Sequence, residues 1–152
     1  MVVNVFLFDD FEAMDVFGPV QIFGTVPEHF YIRFISLRGG IITGKEGVKI
    51  WTEPLNPIEI EDIFLIPGGK GVRSFLHTEG AKGQQVLKRA VEEGISVEGY
   101  FHWTLTDNFE WTSGYNNRFG LVYTDFKNQN RIIKDSGKWY RQVIETNGEI
   151  IK

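Results

Sequence analysis

Residues 2–19 read VVNVFLFDDFEAMDVFGP, and their pattern decides the fold. Val2 to Phe8 is a nearly continuous apolar run. A strand with one wet face alternates apolar and polar residues, whereas a strand buried on both faces, as in a parallel sheet, does not. The run stops at Asp9-Asp10. Helical spacing follows over Ala13 to Gly24 and predicts Met14, Phe17, Val20 and Phe23 on one side. Gly18-Pro19 interrupts that pattern. Proline suits only the first turn of a helix, so the regular helix is expected to begin near Asp15.

Further strand and helix signals follow downstream. Phe30 to Leu37 alternates and reads as a strand. Gly39-Gly40 opens a hairpin with arms Ile41–Thr43 and Val48–Trp51. Pro54 and Pro57 mark a loop, and Asp62 to Ile66 is another buried strand, stopped by Pro67-Gly68-Gly69-Lys70-Gly71. Val86, Leu87, Ala90 and Val91 recur at helical spacing, with Gly94 as the C-cap. Ile95 to Trp103 and Phe119 to Asp125 read as strands. Asp135 is expected to cap a last helix that turns Trp139, Tyr140, Val143 and Ile144 inward. The order β-α-β-hairpin-β-α-β-β-α predicts one α/β domain over residues 1–152. Its expected form is an open, mostly parallel, flavodoxin-like three-layer sandwich with a small β-hairpin.

Composition narrows the function. The 152 residues are 42% hydrophobic, which suits a single packed domain. The net charge of −4 comes without a basic cluster, so neither nucleic acid nor a membrane surface is an expected partner. The N-terminus has no basic stretch ahead of a long apolar run, so no signal peptide or membrane span is predicted and a cytoplasmic location is expected. The chain has no cysteine, which removes disulfides, thiolate metal ligands and a thiol nucleophile. No cofactor and no metal site is predicted.

Three motifs in order carry one resemblance. Leu7-Phe8-Asp9-Asp10-Phe11-Glu12-Ala13-Met14-Asp15-Val16-Phe17-Gly18-Pro19 is followed by Phe34-Ile35-Ser36-Leu37-Arg38-Gly39-Gly40 and then by Phe64-Leu65-Ile66-Pro67-Gly68-Gly69-Lys70-Gly71. Residues 1–78 thereby resemble the PfpI/ThiJ-like superfamily of class I glutamine-amidotransferase-like proteins. The resemblance implies that Asp15 supports a nucleophile and that the Gly68 and Gly69 N–H groups help to hold an oxyanion. The nucleophile itself is a cysteine at a strand-to-helix turn, near Phe101 or His102 in this chain, and it is missing. Read from the residues alone, Asp15 is an acid at a helix start and Gly68-Gly69 is a turn.

A second resemblance begins inside the predicted helix. Val97-Glu98-Gly99-Tyr100-Phe101-His102-Trp103-Thr104-Leu105-Thr106-Asp107-Asn108-Phe109-Glu110-Trp111 continues through Gly114-Tyr115, Arg118-Phe119-Gly120-Leu121-Val122-Tyr123 and Lys134-Asp135-Ser136-Gly137-Lys138-Trp139-Tyr140. Residues 84–150 resemble the last strand-helix unit of glycoside hydrolase family 1 barrels, the β-glucosidases. The resemblance implies that Trp103, Glu110, Trp111 and Phe119 form one wall of a sugar site. Indole faces pack on sugar rings and a carboxylate accepts from vicinal hydroxyls. It also implies two further catalytic carboxylates, about 5–5.5 Å apart in a retaining enzyme, on earlier strands. Neither of their segments is present. Asp107 stands three residues before Glu110, but the family's counterpart of Glu110 binds substrate. Read alone, Trp103 and Trp111 belong to an aromatic core or an exposed loop.

The seam between the two resemblances falls between Leu76 and Gln84. Both families are built of βα units whose sites lie beyond the carboxyl ends of parallel strands. Asp15, Gly68, Gly69, Trp103 and Glu110 are therefore expected on one rim. The reading that follows is an engineered chimera with two incomplete sites and no catalytic function. Two alternatives are weak carbohydrate binding and a residual hydrolase using His102 and Asp15. Apolar surface stripped of its former neighbours predicts a homo-oligomer.

Overall fold

The computed structural model describes residues 1–56, 62–92 and 99–151. The chain forms two compact units, Met1–Val97 and Glu98–Lys152, where the sequence predicts one domain.

The N-terminal unit contains β1 (Val2–Phe6), α1 (Ala13–Gly24), β2 (Tyr31–Ser36), β3 (Gly40–Thr43), β4 (Lys49–Pro54), β5 (Ile63–Leu65), α2 (Gly71–Thr78) and α3 (Gly80–Glu92). The sheet order is β3-β4-β2-β1-β5. β1 lies parallel to β2 with Val3 opposite Ile32, and parallel to β5 with Val3 opposite Ile63. β2 runs parallel to β4, and only β3 is antiparallel, forming the predicted hairpin with β4. The fold is thus mixed α/β with a mostly parallel sheet and a small antiparallel hairpin.

The first strand behaves as its apolar run requires. Val3 and Val5 on one face and Asn4 and Phe6 on the other are all buried. Phe6 and Phe8 meet Phe75 of α2 at ring distances of 5.6 and 5.3 Å, so α2 covers that face. Burying such a side chain stabilises by roughly 1.5–3 kcal/mol before entropy is counted, which makes β1 the spine of the unit.

Several expectations need correction. Helix α1 runs from Ala13 through Pro19 and does not wait for Asp15, although Pro19 has no N–H to give the Asp15 carbonyl. Its inward stripe is Val16, Val20 and Phe23, while Met14 and Phe17 are exposed. Steps of four and three from fully buried Val16 define the stripe, and Met14 falls on the opposite side. The helical stretch after the glycine-rich loop is two helices, broken at Glu79. The side chains of Val86, Leu87, Ala90 and Val91, the Gly94 cap, Pro57 and the start of the Ile95 to Trp103 run lie outside what is described. Within the described part of that run, Gly99 to Trp103 forms no strand.

The C-terminal unit contains β6 (Val122–Thr124), β7 (Arg131–Ile133) and α4 (Asp135–Glu145), with single 3-10 turns at Trp111–Ser113 and Glu149–Ile151. β6 and β7 form an antiparallel pair, and β7 has no sequence forecast. Asp135 is not the cap. It lies in the first turn and pairs with Lys138 at 2.9 Å, while Lys134 holds the cap position without a side-chain bond. The predicted inward face of α4 is also wrong: Trp139 and Ile144 are exposed, and the helix has no buried residue. Two strands of three residues span about 10 Å, too short to cover an 11-residue helix about 16 Å long. Among the described residues no helix is long and apolar enough to cross a membrane.

Candidate functional site

In the N-terminal unit, Asp15 and the Gly68-Gly69 loop do come together. The Gly68 N–H donates to Asp15 Oδ2 at 2.8 Å. The loop is stitched to the segment before α1: Glu12 N–H donates to Gly68 O at 2.9 Å, and Gly71 N–H to Asp10 O at 3.2 Å. Gly69 bridges Phe11 with φ 135°, and a Cβ there would crowd the Asp10 and Phe11 backbone. Partial burial pushes the Asp15 carboxyl above its ordinary value; the Gly68 N–H opposes this, and the charge of Glu12 adds to it. Because the Gly68 N–H already has an acceptor, it is spent on holding the turn. Asp15 and Gly68 form a loop clasp.

The C-terminal unit is organised around an acid. The Asp107 side chain has no exposed surface and sits 2.8 Å from Lys134 Nζ and 3.5 Å from Arg118. Gly120 N–H donates to its Oδ1 at 3.0 Å and Thr124 N–H to its Oδ2 at 3.4 Å. Burial alone would raise this carboxyl, but the Lys134 ammonium and these N–H donors outweigh it and hold it below its ordinary value. Gly120 is obligatory, since a Cβ would collide with the Asp107 nitrogen and the Thr106 carbonyl carbon. Arg118 lies over the Phe126 ring at 4.1 Å and donates to Thr124 O at 2.7 Å. The sequence pairs Asp107 with Glu110 by proximity. Its true partner, Lys134, is 27 residues away, and no local spacing signals it.

The sugar-site candidates lie on two segments of the same unit. The segment Thr104–Thr106 runs beside 121–122, with Leu121 N–H donating to Thr104 O at 3.0 Å and Val122 N–H to Leu105 O at 2.9 Å. This places Trp103 and Phe119 on adjacent strands of chain, both exposed. The Trp103–Thr104 peptide is cis. Glu110 and Trp111 occupy a separate tight turn, closed by Glu110 N–H donating to Gly114 O at 2.7 Å. Trp111 is 66% exposed with φ 48°, a conformation that a bulky residue rarely adopts. Glu110 is only 8% exposed, yet its Oε1 has no hydrogen-bond partner. His102 lies with Nε2 3.4 Å from Phe119 O, in a loose cluster with Tyr100 and Tyr140.

Comparison with known proteins agrees with the second resemblance. Residues 83–149 match glycosyl hydrolase family 1. A 1,4-beta-D-glucan glucohydrolase of Thermotoga neapolitana is 58% identical over 60 residues, 40% of this chain. Beta-glucosidase A of Thermotoga maritima is 55% identical over the same length. The chain spans 14% of the length of either relative. Among solved structures, an AraC family transcriptional regulator from Pseudomonas putida is similar in fold, with TM-score 0.50 and 16% identity over 62% of this chain and 52% of its own. A Thermotoga maritima beta-glucosidase structure is 31% identical, covering 86% of this chain and 26% of its own, with TM-score 0.38. The C-terminal region is therefore a fragment similar to family 1 glycosidases.

Proposed function

We propose that this chain is non-catalytic: an engineered chimera of a PfpI/ThiJ-like segment and a family 1 glycosidase segment, each with an incomplete site. The observation that carries this reading is the use of the carboxylates. Asp15 is committed to the Gly68 N–H, and Asp107 to Lys134 and Gly120. Of these three acids only Glu110 keeps a buried oxygen without a partner, and a retaining glycosidase needs two carboxylates facing one bond. The missing cysteine leaves the first segment without its nucleophile. The family match begins at residue 83, inside α3, which suits a join made to preserve a helix. The test is turnover of 4-nitrophenyl β-glucoside and of amide and isocyanide substrates by the purified chain. Background rates are expected; turnover abolished by Glu110→Gln overturns the reading. An uninterrupted natural gene for the whole chain would overturn its engineered origin.

A second reading, weak carbohydrate binding, is favoured by one site. A buried carboxylate oxygen without a partner is costly, and a sugar hydroxyl admitted by opening of the 110–114 turn would satisfy it. Beside it, the left-handed Trp111 keeps its indole in solvent, where a sugar ring can stack. Titration with glucose or cellobiose should quench tryptophan fluorescence saturably in the wild type and not in Glu110→Gln. A flat titration at high millimolar sugar ends this reading.

A further inference from the structure

The N-terminal unit holds a cavity that the Asp15 clasp does not use. It lies beyond the carboxyl ends of β1 and β2 and is closed by α2, with a volume of about 280 Å³. That is the end of an open α/β sheet where ligands bind, and the size sits near the lower limit of small-molecule pockets, about 300 Å³.

Its loops are held in place by the fold. Asp10 has φ 60°, donates its N–H to Thr43 O at 2.9 Å and accepts from Gly71 at 3.2 Å. A Cβ on Gly71 would run into the Asp9 carbonyl oxygen, so α2 starts hard against the loop that follows β1. On the other side Gly39, at φ 72°, donates to Ser36 Oγ at 3.1 Å. A cleft fixed this way loses little entropy on binding.

The lining has a clear division. Leu7, Phe8, Leu37, Ile42 and Phe75 supply apolar wall. Ser36 Oγ is already occupied by Thr52 Oγ1 at 2.7 Å, so the floor makes no unmet polar demand. The charges are Asp9, Asp10 and Glu79 against Arg38, and Arg38 is tied to Glu79 at 3.1 Å. Three carboxylates and one guanidinium leave the lining two charges negative. Among the described residues no group of three or more His, Asp or Glu side chains is placed to hold a metal ion.

We propose that this cavity binds a small organic cation, a primary ammonium ion whose aryl or alkyl body packs on Phe8 and Phe75 while its charge meets Asp9 and Asp10. The walls supply affinity by burying hydrocarbon, and the net negative lining selects the sign of the ligand.

The probes are 2-phenylethylamine, 2-phenylethanol and phenylpropionate, which share a body and differ in charge. Each is titrated into the full chain while the backbone amide shifts of Leu37, Gly39 and Ser74 are followed. The amine is expected to saturate, the alcohol to bind at least about tenfold more weakly, and the acid not to bind. The variant D9N/D10N keeps the fold, because asparagine can still accept from Thr43 N–H and tolerates the left-handed backbone at position 10. It should weaken the amine by about tenfold and leave the alcohol unchanged. Equal binding of amine and alcohol, binding of the acid, an unmoved amine affinity in the variant, or no saturable shift at all would each overturn the proposal.

Discussion

The two units of this protein keep their interiors in opposite ways. The N-terminal unit buries Val3, Val5, Leu7, Phe11 and Val16 almost completely and gathers partly buried aliphatics around them. The C-terminal unit buries Asp107, Glu110 and Thr124, while Phe101, Trp103, Leu105 and Trp111 face water. The first is held by apolar area, which needs no particular partner. The second is held by a few directional bonds to one carboxylate, which fail together if that carboxylate goes.

The largest test of this contrast strikes the apolar unit. Phe11 is fully buried and its ring fills the space against Gly44. Phe11→Ala should cost about 3–5 kcal/mol in urea denaturation. A loss below 1 kcal/mol, on the order of a surface change, would mean that the site collapses or is not core.

Next comes the hub. Asp107→Ala strands Lys134 and Arg118, and breaking a buried ion pair costs about 3 kcal/mol at the low end of its range. The low end applies because both partners, Lys134 and Arg118, keep part of their side chains in water. Hydrogen exchange should quicken at Gly120, Val122 and Thr124 and stay slow in β1. Uniform loss of protection in both units would merge them into one cooperative block and erase the contrast.

Acid sharpens it further, because the two key carboxyls shift in opposite directions. Asp107 is held below its ordinary value, so its contribution is present above the unfolded value of 3.8 and drains away as pH falls through the lower folded value. Asp15 is held above its ordinary value, so its favourable contribution is full below 3.8 and is lost as pH rises through the folded value. Three of the four tryptophans, Trp103, Trp111 and Trp139, report on the C-terminal unit. Their emission should shift at acid pH before β1 amides lose protection, and in Asp107→Asn that early transition should disappear.

The smallest effect belongs to Asp15→Asn. The amide oxygen can still accept from Gly68, and the charge that burial disfavours is gone. A gain within about 0.5 kcal/mol at neutral pH, vanishing near pH 3, is expected from denaturant midpoints. A clear loss at neutral pH would show that the charge itself anchors the loop.

Much of the N-terminal unit was legible in advance. The Val2 to Phe8 run, the Gly39-Gly40 turn and the Pro67-Gly68-Gly69 stop each encode a local rule, and the parallel sheet with its hairpin follows from them. The inward face of α1 was not legible, since Met14 and Val16 are both apolar and only the depth of Val16 against the sheet separates them. The last helix failed for a different reason. Its apolar stripe is real in the sequence, but a stripe is buried only where a layer wide enough lies opposite.

The C-terminal site divides along the same line. Trp103, Glu110, Trp111 and Phe119 could be named as sugar-site candidates only through the resemblance of their motif to a family. That Asp107 is the hub, and that Glu110 is covered with an oxygen left over, could not. Sequence alone determined the strands of the N-terminal sheet, which residues bear chemistry and that no thiol exists, because those are properties of composition and short-range spacing. Tertiary structure decided which acids are spent on the fold, because a carboxylate's role is set by the donors that reach it, and those come from residues far along the chain.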